Sequence, residues 1–216
     1  MSELTLERIE PIEDAFTRLR KASLDATGGQ NILIYQNASM RICDFRPEEL
    51  NPTSLYVLEN HLDSLRHLRG ELLKRYQIDI LRFSSILHVR TPDGVLIGIA
   101  PPFVEVYEET VQLIPREGDR VPPPRSVIKV PVLKDGIHRA WIAREENIPL
   151  CCVVVSGATG DYLPYAYPNS WSEVKLYAEK PEEKKFYRRQ NPYTYLRPIK
   201  VLRQVGDKPP DNEWGR

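Results

Sequence analysis

Residues 132–143, Val-Leu-Lys-Asp-Gly-Ile-His-Arg-Ala-Trp-Ile-Ala, decide the fold of this chain. They continue an apolar, β-branched run that begins at Val127 and predicts a strand. Asp135 and Gly136 end that strand in a turn, because glycine adopts backbone angles that other residues avoid. The alanines and the isoleucine that come next suit a helix, and the apolar run 150–155 predicts a second, buried strand.

The turn at Asp135 and Gly136 has the features of an anion site. A strand that enters a helix through a glycine leaves the first helical N–H groups and the positive end of the helix dipole facing outward. His138 and Arg139 fall in the first helical turn, where each can add a donor, and the arginine fork fits a phosphate. The plainer alternative is a common turn followed by a solvated arginine.

The segment Asp135-Gly-Ile-His-Arg-Ala140, followed by a short helix and the run 149–155, resembles the ParB/sulfiredoxin superfamily. Members of that superfamily carry a Gly-x-His-Arg or Gly-x-Arg-Arg box that holds nucleotide phosphates at a helix start. Ile137 stands where the sulfiredoxin branch has its reactive cysteine, so sulfiredoxin chemistry is not expected. Ile137 and His138 also depart from the Gly-Glu-Arg-Arg box of the CTP-binding partition branch. The sequence is most similar to the Asp-Gly-x-His-Arg box of the superfamily's small-molecule kinases and of related proteins from bacterial defence and modification clusters.

This resemblance implies roles for individual residues. Asp135 matches an acid that takes part in phosphoryl transfer, and Gly136, His138 and Arg139 match the phosphate cradle. The ligand implied is ATP, ADP or CTP with Mg²⁺. Family kinases draw a second acid from upstream of the box, and Glu105 is our candidate for it; a solvated strand edge is the alternative.

Two further candidates come from the loop after the second strand. Ser156 and Thr159 lie in Ser-Gly-Ala-Thr-Gly, at the carboxyl end of a strand, and such ends border ligand clefts in open α/β sheets. Their hydroxyls could reach a phosphate, or the segment could be an ordinary polar loop. Beyond it, the aromatic segment 162–171 could stack on a base or close the core as a hydrophobic flap.

Composition limits the partners and the compartment. The 216 residues include 30 basic and 30 acidic side chains, so no overall charge favours nucleic acid or a membrane. The dense basic cluster of the chain comprises Lys184, Lys185, Arg188 and Arg189, which could contact nucleic acid or form a solvated helix. Three cysteines without disulfide or metal spacing indicate reduced thiols, no metal site and a cytoplasmic location. No signal peptide or membrane-spanning run is visible.

The predicted fold class is α+β, a small mixed sheet with flanking helices similar to the ParB/sulfiredoxin fold. We predict a helix, hairpin and helix extension over 1–77, the ParB/sulfiredoxin-like domain over 78–205 and a flexible tail over 206–216. Within these, we expect helices over 11–23, from Asn51 to Tyr76 and over 180–190, and a hairpin over 86–99.

Three functions fit these patterns. The first is a nucleotide-binding ParB-like protein of a bacterial multi-component system, such as a defence system, with phosphotransfer or nucleotide hydrolysis. The second is a non-catalytic regulatory subunit that binds other protein subunits. The third is a DNA-binding protein or nuclease, which the zero net charge and the lack of a visible helix-turn-helix disfavour.

Overall fold

The computed structural model describes residues 3–21, 24–25, 31–112, 125–158 and 168–185. The helices in this part of the chain are α1 (Ile12–Arg20), α2 (Glu59–Tyr76) and α3 (Ile137–Glu145). The strands are β1 (Thr5–Glu10), β2 (Leu24–Asp25), β3 (Asn31–Ile32), β4 (Ser39–Phe45), β5 (Asn51–Pro52), β6 (Tyr56–Leu58), β7 (Ile86–Arg90), β8 (Leu96–Ile99), β9 (Phe103–Gln112), β10 (Arg125–Asp135), β11 (Leu150–Ser156) and β12 (Lys175–Tyr177). Short 3₁₀ helices occupy Pro47–Glu49 and Trp171–Glu173. The α+β fold class is confirmed.

A five-stranded mixed sheet forms the centre, in the order β4-β11-β9-β10-β5. Strand β11 runs parallel to β9 and antiparallel to β4, and β10 runs antiparallel to β9 and parallel to β5. Residues 150–155 of β11 are all buried, because the strand has a neighbour on each side and a hydrophobic core on each face. An uninterrupted apolar run is typical of a strand covered on both faces.

The two faces of this sheet pack against different helices. Residues of α2 and α3 share one hydrophobic core with Val104, Leu133 and Val154. Residues of α1 share the other with Phe103, Val153 and Val155. Neighbouring positions along a strand point to opposite faces, so the alternation along β9 and β11 divides these residues between the two cores.

Helices α2 and α3 lie side by side and run in the same direction. Leu58, which caps the start of α2, contacts His138 in the first turn of α3. Further along, Arg66 of α2 pairs with Glu145 at the end of α3, and Arg69 pairs with Glu146 just after it. Because the contacts advance along both helices together, the two N-termini lie at the same end of the pair.

A second sheet, β1-β7-β8, is antiparallel throughout. The predicted hairpin over 86–99 is confirmed, with its turn at Thr91–Gly94. Gly94 has φ +85°, and its N–H donates to the Thr91 carbonyl at 2.8 Å. Strand β1 was not predicted, because its alternation is interrupted by charged residues.

A charged cluster joins the second sheet to α1. Glu10 contacts Arg18 Nη1 through Oε1 at 2.5 Å and buried His88 Nε2 through Oε2 at 2.8 Å. Burial raises the pKa of the Glu10 carboxyl, but the hydrogen bonds with Arg18 and His88 outweigh burial and leave that pKa below its ordinary value. The ionised carboxylate therefore stabilises the contact between β1, β7 and α1.

The predicted helix start at Asn51 is wrong. Asn51 and Pro52 form the edge strand β5, where the Asn51 amide donates to the Pro131 carbonyl at 3.1 Å. Helix α2 begins at Glu59 and ends at Tyr76, followed by Gln77 in the left-handed conformation. A proline after a capping residue suits an edge strand as well as a first helical turn.

Two other expectations about organisation differ from the structure. The boundary between residues 77 and 78 does not separate two folding units, because β4 and β5 belong to the same sheet as β9, β10 and β11. The expected helix over 180–190 is absent from residues 180–185, which are irregular. Residues 186–216, including the expected tail, lie outside the described residues.

Candidate functional site

Residues 135–139, called here the Asp135 turn, connect β10 to α3. Asp135 is the last residue of β10, Gly136 caps α3, and Ile137 begins the helix, as predicted. Gly136 has φ +90°, and a Cβ at this position would lie 2.6 Å from Cβ of Pro102. Its carbonyl accepts the Ala140 N–H at 2.9 Å, the first hydrogen bond of the helix. Both backbone angle and space therefore require glycine.

His138 links the two helix starts. Its Nε2 accepts the Leu58 N–H at 3.0 Å, and its ring meets the ring of His61 edge-on, with centroids 5.0 Å apart. An Nε2 that accepts a hydrogen bond carries no proton, so we assign the proton of the neutral ring to Nδ1. In this arrangement His138 supplies a cap for α2, and a phosphate contact through Nε2 would require this bond to break.

Arg139 is partly buried and ties α3 to the connection between β8 and β9. Its Nη1 donates to the carbonyl of Ala100. The sequence indicated no structural contact for this arginine, whereas the structure provides one. An alanine at position 139 would remove this contact as well as any contact with a ligand.

A β-bulge shapes the strand end before the turn. Leu133 pairs with Val104 and Asp135 pairs with Phe103, so Lys134 is an extra residue in β10. The Lys134 side chain lies 3.3 Å from Glu105 through Nζ and Oε2. Tyr35 donates to the same carboxylate oxygen at 2.7 Å. We call these three residues, Tyr35, Glu105 and Lys134, the buried network.

The position of Glu105 differs from a solvated strand edge, the alternative that its sequence context suggested. The residue is 1% exposed and Lys134 is 6% exposed. Asp135 lies opposite Phe103, two residues before Glu105 on the same face, so the backbones of the two acids are diagonal neighbours about 7–8 Å apart. The structure thus brings the two candidate acids together, with Lys134 in contact with the buried one. The sequence did not reveal Tyr35 or Lys134, because their contacts span β9, β10 and the 34–37 turn.

Ser156 lies away from Asp135. Ser156 of β11 pairs with Val106 along one edge of β9, whereas Asp135 of β10 pairs with Phe103 along the other edge of β9. Three residues along a strand and two strand spacings separate the two positions by about 14 Å. Thr159 lies outside the described residues.

One comparison with known proteins identifies the family. A family model described as the ParB CE domain matches residues 14–175, well over half of the chain. The chain belongs to the ParB CE domain family. A search of curated proteins and a search of solved structures each found no match.

The ParB CE match runs from α1 to the start of β12 and contains the Asp135 turn, the buried network and both parallel helices. It crosses the boundary at residue 77, in agreement with the single central sheet. The match ends before the basic cluster. Within that cluster Lys184 and Lys185 are partly buried, the Lys184 carbonyl accepts the Leu55 N–H at 3.0 Å, and Arg188 and Arg189 lie outside the described residues.

Trp171 has a structural position in the ParB CE domain. Its Nε1 donates to the Pro47 carbonyl at 2.7 Å. Its buried ring packs against the ring of Trp141, with the ring centroids 6.4 Å apart. The Arg144 guanidinium lies 5.7 Å from the same ring. This agrees with a flap that closes the core and not with an exposed base-stacking platform. The tyrosines at 162, 165 and 167 lie outside the described residues.

The described residues contain neither a metal-binding cluster nor a membrane-spanning helix. Among the residues that the structure describes, no group of three or more His, Cys, Asp or Glu side chains is arranged to hold a metal ion. Within the same residues, none of the helices has the length and hydropathy needed to cross a membrane.

Proposed function

We propose that this ParB-like protein binds a nucleotide through its phosphates, at the end where α2 and α3 begin. The observation that carries the proposal is the parallel arrangement of these helices, which places both N-termini beside the Asp135 turn. Each helix N-terminus carries the equivalent of about half a positive charge, and anions are stabilised there by roughly 0.3–1 kcal/mol per exposed end. Two adjacent ends add their effects on an anion, although Glu59 in the first turn of α2 offsets part of the effect of that end.

The charges along α2 and α3 support an anion site at the end where the two helices begin. Carboxylates at the C-terminal end of a helix oppose its dipole. Glu145 and Glu146 occupy that end of α3 and are paired with Arg66 and Arg69 of α2. In contrast, the first turn of α3 contains no acidic residue, whereas the first turn of α2 contains Glu59, so the positive end of α3 is the one without a carboxylate in its own turn. An incoming phosphate would fill this role.

Asp135 immediately precedes that helix end, and we assign to it the binding of Mg²⁺ or the role of general base. A carboxylate beside bound phosphates can share a Mg²⁺ with their oxygens, which suits ATP, ADP or CTP. Glu105 is buried and contacts Tyr35 and Lys134, so we assign it an indirect role, in which it fixes the bulge that precedes Asp135. With an acceptor or water in place, this arrangement would support phosphotransfer or nucleotide hydrolysis.

Calorimetric titration with ATP, ADP and CTP in the presence of Mg²⁺ tests the proposal. Adenosine and cytidine are the matched ligands without phosphate, and we expect them not to bind. Arg139→Lys should keep the bond to Ala100 but lose the arginine fork, and should weaken nucleotide binding about ten-fold or more, as expected for a charge-assisted bond of roughly 1.5–3 kcal/mol. Arg144→Lys, on the same helix but at its far end, is the control and should bind as the wild type does. Failure of all three nucleotides to bind would refute the proposal.

A specific observation favours a second candidate, the non-catalytic module of a bacterial multi-component or defence system. His138 and Arg139 both contact backbone groups of the protein itself, which is consistent with a box kept for its structural contacts. Nucleotide binding without turnover would favour a regulatory subunit, and a lack of nucleotide binding would favour a scaffold for other subunits. A DNA-binding protein or nuclease is the weakest candidate, because the net charge is zero and the basic cluster lies beyond the family match.

A further inference from the structure

Two cysteines face each other across the central sheet. Cys43 of β4 and Cys152 of β11 are directly opposed in the antiparallel ladder. Opposed residues in such a ladder have Cα atoms about 4.5–5.5 Å apart, within the range of about 4.4–6.8 Å that disulfides require. Both side chains pack against the core beneath α2 and α3. All three cysteines are free thiols in this structure.

We propose that Cys43 and Cys152 form a reversible disulfide when the protein meets a peroxide. The Cys43 thiolate attacks the O–O bond, one oxygen is transferred to sulfur to give a sulfenic acid, and the other leaves as water after protonation. The Cys152 sulfur, losing its proton, then attacks the Cys43 sulfur and displaces hydroxide, which leaves as a second water. The two thiols lose two electrons and two protons, and the peroxide accepts them. A dithiol reductant reverses the reaction.

The environments of the two thiols set the order of these steps. Cys43 is partly exposed, whereas Cys152 is 0% exposed, so a peroxide reaches Cys43 first. Burial raises the pKa of the Cys152 thiol, the neighbouring Cys151 adds to the increase, and the positive charge of Arg139 opposes it. The second step is therefore the slow one, and sulfenic acid on Cys43 should precede the disulfide.

The pairing of β4 with β11 also excludes Cys151 from this disulfide. Cys151 points to the opposite face from Cys152 and is opposed by Asp44. Burial raises the pKa of the Cys151 thiol to about 11, and Asp44 adds to the effect. Cys151 is thus an internal control, because it is adjacent to Cys152 in the sequence but has no cysteine opposite it on β4.

The weak thiol contacts that oxidation would replace are local. Cys43 Sγ donates to the carbonyl of Asp44 at 3.6 Å, and Cys152 Sγ donates to the carbonyl of Leu150 at 3.5 Å. Rotation of the two side chains toward each other would break these two bonds. The disulfide would join edge strand β4 covalently to β11, which lies next to β9.

The test is hydrogen peroxide treatment of the full chain, followed by thiol counting after unfolding and by peptide mapping. We expect the count to fall from three to one. Tryptic peptides 42–66 and 145–175 should be recovered as one linked species, two hydrogen atoms lighter than their sum, and should separate on reduction. Cys151→Ser should form the same link, whereas Cys43→Ser should not. Cys43→Ser changes a partly exposed side chain, and an unaltered thermal unfolding curve would show that it is folded.

Three results would overturn the proposal. They are a disulfide bonded through Cys151, seen as loss of the link in Cys151→Ser, a disulfide between two chains, and accumulation of sulfinic acid on Cys43 while Cys152 remains a free thiol. None of them depends on nucleotide binding.

Discussion

Gly136→Ala should destabilise the protein more than any other glycine-to-alanine change that the structure allows us to compare. At φ +90° an alanine is strained by about 1–2 kcal/mol, as expected for an L-residue held in a left-handed conformation. The added Cβ would also lie 2.6 Å from Cβ and 2.8 Å from Cγ of Pro102. Pro102 is a buried, rigid ring, so the contact should add about 1–3 kcal/mol, as overpacking of a core does. We therefore expect a total loss of about 2–5 kcal/mol.

Gly94→Ala is the matched control for this change. Gly94 has nearly the same backbone angle, φ +85°, but a Cβ there would meet no atom within 4 Å. Urea unfolding of the two variants and the wild type isolates the steric contribution, because the strain contributes to both variants. A Gly136→Ala protein that is no less stable than Gly94→Ala would refute the close approach of the turn to Pro102.

Two predictions concern the buried charges. Glu10 has a lowered pKa in the folded protein, so its stabilising effect is fully present above the unfolded pKa of about 4.5 and is lost as the pH falls through the folded value. Urea unfolding as a function of pH should therefore show that Glu10→Gln loses less stability than the wild type on acidification. Equal losses of stability in the two proteins would contradict the account. Lys134→Met should cost roughly 3–5 kcal/mol because it leaves the Glu105 carboxylate buried without its cation, and the double variant Lys134→Met/Glu105→Leu should recover part of that loss in the same assay. Additive losses from the two single changes would argue against direct coupling.

Local sequence patterns predicted the elements nearest the site. The run before Asp135, the glycine after it and the apolar run 150–155 each give a signal within a few residues, and the structure has the predicted strand, turn, helix and strand. The same reasoning failed at Asn51, whose amide bonds to the Pro131 carbonyl. That partner is 80 residues away, and no local pattern distinguishes a cap from an edge strand in this case.

The parts of the site that depend on strand register were not visible in the sequence. Lys134 belongs to an alternating strand pattern, and that pattern does not show that Glu105 of the neighbouring strand lies 3.3 Å from its Nζ. In the same way, the cysteine spacing indicated no disulfide, yet the ladder between β4 and β11 places Cys43 opposite Cys152. Pairings of this kind are set by contacts between distant segments, which a periodicity of two or of 3.6 residues does not encode.

The central claim is that nucleotide phosphates bind at the paired helix ends, with Asp135 as their Mg²⁺ partner. The most direct measurement compares the affinity of the wild type and of Asp135→Asn for the tightest-binding nucleotide, with and without Mg²⁺, by calorimetry. Asparagine suits the turn as well as aspartate does, so the fold should be retained. The account predicts that Mg²⁺ tightens binding to the wild type but not to Asp135→Asn, and that any turnover falls far more than affinity in the variant. Nucleotide binding to Asp135→Asn with an unchanged Mg²⁺ dependence would contradict it.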